Sequence, residues 1–293
     1  MYDNNSIEDK FKTHLEYLGY TQNTVLMAYA GVKEFLAHTS SPPLGELEGA
    51  DIQNYYEYLQ NRKQKRKDEP LSEAYINHHI YSIKLFFNWL EQTHQIDENP
   101  ISNIKFKRPK INTRQPLSQN EIEQLFDSAK NLKEKTILHL CYSCGLRRSE
   151  AVSLNMIDID FGNSLLYVRN GKGAKRRVIP LNKTVKNDLE NYVKEYRVSL
   201  SFGEGRKGEA ESFMLSRIKK RMLGDGYNRL LKELLKRTEI NKEITLHHLR
   251  HSIATHLLEN GMSIEFVRDF LGHSHLETTQ IYAKVQHYQL KKL

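Results

Sequence analysis

Around residue 100 the chain changes character, and that change limits the folds open to it. Apolar residues recur at helical spacing up to Leu90, and the pattern stops at Asn99-Pro100, since a proline pushes the residue before it out of the helical region. The next stretch, Lys105 to Gln115, carries Lys105, Lys107, Arg108, Lys110 and Arg114 and no acidic residue. Charge divides at the same place. Residues 1–104 hold nine Lys/Arg against fifteen Asp/Glu, a net of −6; residues 105–293 hold thirty-five against twenty-one, a net of +14. The expected organisation is a helical domain over 1–104, a basic linker over 105–115 and a second domain over 116–293. A domain at +14 points to a polyanion, most simply nucleic acid, and a short basic linker can lie along a phosphate backbone.

Composition excludes several classes. Hydrophobic residues make up 39% of the 293, enough for packed cores rather than wholesale disorder. No apolar run approaches the ~18 residues of a membrane span, and Met1 to Tyr20 carries no signal-peptide pattern. Two cysteines make no disulfide framework. A cytoplasmic, nucleoid-associated protein without membrane contact is expected.

The first domain reads as four helices. Ile7, Phe11, Leu15 and Leu18 share a face, and Gly19 stops the run. A second helix spans Asn23 to His38, before Ser41-Pro42-Pro43. A third follows Asp51, with Ile52, Tyr55, Tyr56 and Leu59 together. The polar run from Asn61 to Pro70 reads as an exposed loop, and a fourth helix starts at Ser72. In the second domain, Ser118 and Glu121 have capping-box spacing ahead of a helix, and a helix from Lys133 to Cys144 ends at Gly145. Leu165–Arg169 and Arg177–Leu181 read as strands around Asn170-Gly171-Lys172-Gly173, a hairpin signal. Helices follow over Thr184–Tyr196, Tyr227–Arg237, Leu246–Glu259 and Ser263–Leu271, with a loop over Ser199–Glu211. The fold class is mainly α with a small β-sheet.

Two apparent motifs are set aside. Cys141 and Cys144 form a C-x-x-C inside an apolar helix pattern, without the strand-to-helix junction or second ligand pair that redox or zinc chemistry requires. His247 and His251 stand four apart on a helix, yet the residue after the first is His248 and not the glutamate of a metalloprotease. No metal site is expected.

Other residues suit a phosphodiester. Arg147 follows a helix-ending glycine, Lys172 sits at a Gly-flanked hairpin tip, and His247, Arg250 and His251 share one helix; His273 ends a helix, and Tyr282 follows. Two arginines can brace phosphate oxygens bidentately. Histidines handle protons or donate hydrogen bonds, a lysine can protonate a leaving oxygen, and a tyrosine can be a covalent nucleophile.

In this order, four stretches resemble the tyrosine recombinase/integrase family, and within it the compact Xer-like members. They are Tyr142-Ser143-Cys144-Gly145-Leu146-Arg147-Arg148-Ser149-Glu150; Gly171-Lys172-Gly173-Ala174-Lys175-Arg176-Arg177-Val178-Ile179-Pro180-Leu181; His247-His248-Leu249-Arg250-His251 with Ala254-Thr255-His256-Leu257-Leu258; and Leu271-Gly272-His273 with Thr278-Thr279-Gln280-Ile281-Tyr282. The resemblance implies a SAM-like core-binding domain followed by a catalytic domain. It implies Arg147, Lys172, His247, Arg250, His273 and Tyr282 as catalytic residues, with Glu150 and His251 in support. Arg148, where an apolar residue is common, and Thr245-Leu246, where a proline is frequent, depart from the pattern.

The chemistry so implied needs no cofactor. Tyr282 attacks a backbone phosphate of double-stranded DNA and forms a 3′-phosphotyrosyl link, and strand exchange proceeds through a Holliday junction. The resemblance further implies a homotetramer on two DNA sites, held by exchange of the C-terminal tail, with a second recombinase or activator left open. The role would be integration and excision of a mobile element or resolution of chromosome dimers. The chain starts directly at the core-binding region, so no separate arm-type DNA-binding domain is expected. Topoisomerase IB or telomere-resolvase chemistry, and a catalytically idle DNA-binding protein, are the alternatives.

Overall fold

A proline break and a change of charge divide the sequence near residue 104, and the computed structural model forms two units, Met1–Asn112 and Thr113–Leu293, that part inside the basic run. It describes residues 6–39, 43–64, 68–107, 115–169, 176–197 and 211–272. Arg108, Lys110, Arg114, Lys172, His273 and Tyr282 lie outside these, as do the hairpin tip and the tail after Tyr282.

The first unit contains α1 (Ile7–Tyr17), α2 (Gln22–His38), α3 (Gly49–Asn61) and α4 (Glu73–Gln92). Side-chain caps begin α2 and α4: Thr21 accepts from the Thr24 N–H and Ser72 from the Tyr75 N–H. Gly19 ends α1 at φ +76°, where a Cβ is disfavoured. Phe11, Phe35, Tyr55, Phe86, Phe87 and Leu90 form the middle of an aromatic-rich core, all fully buried. Helices α2 and α4 approach closely at Gly31, where a Cβ would come within 3.1 Å of Ser82. Phe106, inside the basic run, packs its ring 5.2 Å from that of Tyr56, and Lys107 lies 3.6 Å from Glu73. Phe106 against α3 and the Lys107–Glu73 ion pair to α4 thus hold the start of that run.

The second unit begins with α5 (Gln119–Asp127), whose reciprocal Ser118–Glu121 cap is formed as its spacing predicts. Next come α6 (Leu132–Leu138) and one wide π-helical turn, His139–Ser143. The short α7 (Arg148–Ser153) leads into an antiparallel sheet of β1 (Ile159–Asp160), β2 (Leu165–Val168) and β3 (Arg177–Pro180), in that order, with Leu166 opposite Ile179. Helices α8 (Lys183–Tyr192), α9 (Gly224–Leu235), α10 (Leu246–Glu259) and α11 (Ile264–Leu271) complete it. The architecture is mainly helical with one small sheet. Neither α7 nor β1 is expected from the sequence: six and two residues are too few to display a period. Helix α9 starts three residues ahead of expectation, at Gly224, over which the Arg148 side chain lies. That packing gives Arg148, the first departure from the family pattern, a structural role.

Among the described residues no helix is long and apolar enough to cross a membrane.

Candidate active site

The centre of the second unit is a buried carboxylate. Glu150 is 3% exposed, and its location follows from the turn before it. The π-helical turn closes with Cys144 N–H donating to His139 O at 2.8 Å, and Leu146 N–H reaches Leu140 O at 2.9 Å. Gly145 takes φ +57°, and a Cβ there would stand 2.8 Å from Leu271 Cδ2, so both conformation and space require glycine. Arg147 then sits at the N-terminus of α7, where its backbone N–H donates to Glu150 Oε2 at 2.9 Å.

Three guanidinium groups converge on that carboxylate. Arg177 grips it with two parallel bonds, Nη1 to Oε1 at 3.0 Å and Nη2 to Oε2 at 2.8 Å. Arg147 Nη1 donates to Oε1 at 2.8 Å, and Arg250 Nη1 lies 3.9 Å from Oε2. Burial alone would raise the Glu150 carboxyl; the Arg177 guanidinium, helped by the backbone and side chain of Arg147, overcomes it and holds the group down at about 2. One negative charge therefore stands among three positive ones, a surplus of two.

The same arginines hold the end of α11. Arg147 Nη2 donates to Gly272 O at 3.1 Å, while Arg250 donates to Leu271 O at 2.6 Å and to Gly145 O. These carbonyls belong to the two residues just before His273 and to the one two places before Arg147. Arg147 is the accessible member, its side chain 21% exposed against 7% for Arg177 and 1% for Arg250.

The structure thus brings Arg147, Arg250 and Glu150 together. His247 is exposed on the first turn of α10 and His251 is buried one turn on. Thr245 caps α10 by exchanging bonds with the His248 ring, 2.9 Å from its hydroxyl, so the second departure from the pattern supplies a cap in place of a proline. Lys105 and Lys107 are exposed in the first unit. The sequence assigns Arg177 no site role, only a place in a resembling stretch and at the start of a strand. Its signal was the two-residue period of β3: Arg177 falls on the face of Ile179, which is buried, and a charge on a core face requires a partner. Both cysteines are buried, which pushes their thiols up to about 12.

This arrangement can be compared with known proteins. Residues 115–288 match the phage integrase family, and residues 7–97 match the phage integrase N-terminal SAM-like domain. Tyrosine recombinase XerD of Oceanobacillus iheyensis is 33% identical over 98% of this chain and 96% of its own length. Tyrosine recombinase XerA of Pyrococcus horikoshii is 32% identical, over 96% and 90%. A crystal structure of XerA recombinase is 26% identical with a TM-score of 0.53, covering 98% of each chain. A lambda integrase tetramer bound to a Holliday junction shares the fold at 17% identity and a TM-score of 0.73, over 96% of this chain and 78% of that one. The chain belongs to the phage integrase family. It is a tyrosine site-specific recombinase of the Xer-like kind.

Proposed function

We propose that the chain breaks and rejoins double-stranded DNA at a specific site with Tyr282 as nucleophile, and that the guanidinium cluster around Glu150 receives the scissile phosphate. The surplus of two positive charges on this cluster is the observation that carries the reading. A phosphodiester brings one negative charge, and a pentacoordinate phosphorane brings two, so the surplus matches the reacting state better than the resting one. Tyr282 Oη forms a bond to phosphorus as the bond to the 5′-oxygen breaks. Lys172 delivers a proton to that oxygen, and His247 accepts or steers the tyrosyl proton. Arg147, Arg250 and His273 stabilise the charge on the non-bridging oxygens. In this structure Arg250 spends two N–H groups on carbonyls, so the reading requires it to turn at least one toward the phosphate. Glu150 and His251 support the arginines. Attack by the 5′-hydroxyl of a second strand reverses the step and leads through a Holliday junction.

The same reading makes Lys105, Lys107, Arg108, Lys110 and Arg114 phosphate contacts, with four copies on two DNA sites joined by exchange of the segment after Tyr282. It places the protein in the cytoplasm, on the nucleoid. Relatives with the recombinase name support the recombinase reading, and a lambda integrase of the same fold, a tetramer bound to a Holliday junction, supports the four-copy assembly.

The test begins with a duplex selected by the protein from random sequence and nicked beside the cleavage point, which traps the adduct. Wild type forms a covalent complex stable to detergent. Tyr282→Phe forms none and retains site binding, because only the nucleophilic oxygen is lost. The chain has sixteen tyrosines, and an adduct mapped to Tyr288 would refute the assignment. Relaxation of plasmids without exchange between two sites would move the function to a topoisomerase.

A further inference from the structure

His256 is a buried histidine, 4% exposed, to which neither the family resemblance nor the proposed chemistry assigns a task. It stands where three parts of the second unit meet. Its Nε2 is 2.8 Å from Leu117 O and its Nδ1 is 2.9 Å from the Tyr142 hydroxyl. A carbonyl oxygen only accepts, so Nε2 carries the proton. The lone pair of the neutral ring is then on Nδ1, and Tyr142 donates to it. Burial favours that neutral ring, against the opposing pull of the Leu117 carbonyl and Glu259.

Each partner has a position that matters. Leu117 comes directly after Pro116, where the chain leaves the basic linker, and is fully buried. Its N–H is also held, by Ser252 Oγ at 2.8 Å. Both backbone polar groups of this one residue are therefore fastened to α10, four residues apart. Tyr142 lies in the π-helical turn, three residues before the carbonyl of Gly145 that takes Arg250. Helix α10 and this turn are thus bonded at Arg250 and again at His256, six residues further along, about 9 Å at 1.5 Å per residue. Leu117 is thus tied to α10 at both its N–H and its carbonyl, and α10 is tied to the turn on either side of the span from Arg250 to His256.

We propose that Tyr142 and His256 are positioning residues, which lock the entry of the linker and the turn ahead of Arg147 onto the helix that carries Arg250. The junction thereby fixes the placement of an active-site arginine. This rests on the reading of the arginines given above. Tyr142→Phe removes one hydroxyl and leaves Nδ1 without its donor. His256→Gln keeps a donor for Leu117 O, and its one acceptor, Oε1, no longer stands at the Nδ1 position that Tyr142 reaches on the rigid ring.

The experiment measures affinity for the selected duplex and the cleavage rate at saturating nicked duplex, for full-length wild type, each single variant and the double variant. Each single change should slow saturated cleavage roughly tenfold, equivalent to about 1.4 kcal/mol of barrier, with affinity within about twofold. The double variant should be no slower than His256→Gln alone, because both changes open one junction. Nitrogen-15 spectra of the histidines in the wild-type protein give a second measurement that requires no variant, and should show the Nε2–H form at His256. An Nδ1–H ring, unchanged saturated cleavage in both single variants, or losses that add independently would each overturn the proposal. Absence of any wild-type adduct would instead refute the function reading, and the histidine spectra would still decide the junction.

Discussion

At the scale of single residues, the decisive feature is a carboxylate that has been made strongly acidic inside the protein. The fall in Glu150 from 4.5 to about 2 corresponds to roughly 3 kcal/mol of pH-linked stability. Its sign is set by the direction of the shift. A depressed carboxyl contributes fully above its unfolded value and loses that contribution as pH falls toward its folded one. Glu150→Gln strands three guanidinium groups without a counter-charge and should cost on the order of 3–5 kcal/mol at pH 7. Urea unfolding at pH 7 and pH 3 checks this: the gap between wild type and variant should narrow by about 2 kcal/mol at the lower pH. A gap that stays constant would mean that Glu150 does not titrate as its partners demand. Lys172 makes a second residue-scale prediction. Lys172→Ala should block cleavage of ordinary DNA and regain it on a substrate with sulfur in place of the leaving 5′-oxygen, since a thiolate departs without a proton. Equal defects on both substrates would remove the general-acid role.

At the scale of elements, the turn from His139 to Arg147 sets the site, and glycine makes that turn possible. His139 braces it, with Nδ1 3.1 Å from Ser143 Oγ and Nε2 2.9 Å from Asp188 on α8. Gly145→Ala would force a Cβ to within 2.8 Å of Leu271 at φ +57°. Left-handed strain of about 1–2 kcal/mol and overpacking of about 1–3 kcal/mol should together lower stability by roughly 2–5 kcal/mol. Cleavage should fall further than folding does, since the displaced neighbour is the residue whose carbonyl Arg250 holds. Thermal melting beside adduct yield separates the two effects, and an unaltered melting temperature would refute the strain argument. The longer helices were legible because their apolar period repeats over two or more turns and caps such as Ser72, Ser118 and Ser263 mark their starts. Six-residue α7 and two-residue β1 were not, because distant partners hold them in place: Tyr227 and Arg221 donate to the carbonyls of Ala151 and Val152 in α7, and β2 pairs with β1.

At the scale of the whole molecule, charge governs behaviour. With a net of +14 over residues 105–293, binding to the selected duplex should weaken steeply with salt, each neutralised phosphate adding about −0.9 to the log–log slope. Neutralising Lys105 and Lys107 together should make the slope shallower by up to about 2. An unchanged slope would take those two residues out of the interface. Adduct formation should persist in excess EDTA, because three guanidinium groups already crowd the site with positive charge and repel a divalent cation. Loss on chelation with recovery on added magnesium or zinc would overturn that expectation.

What the sequence by itself determined was identity and order. The residue types able to act on a phosphodiester, their spacing, the helical periods and the two-unit division are all local properties of the chain, written in runs of a few dozen residues. What only the tertiary structure decided was which of those residues share a charge. Arg177 stands twenty-seven positions from Glu150 and Arg250 one hundred, yet all three meet within hydrogen-bonding or ion-pair distance. A buried carboxylate cannot remain ionised without such partners, and no local period states which arginine will reach it. The junction at His256 is of the same kind: Leu117, Tyr142 and Ser252 come together around it because α10 packs across the turn and the chain's entry. Long-range packing selects among the partners that local pattern only makes available.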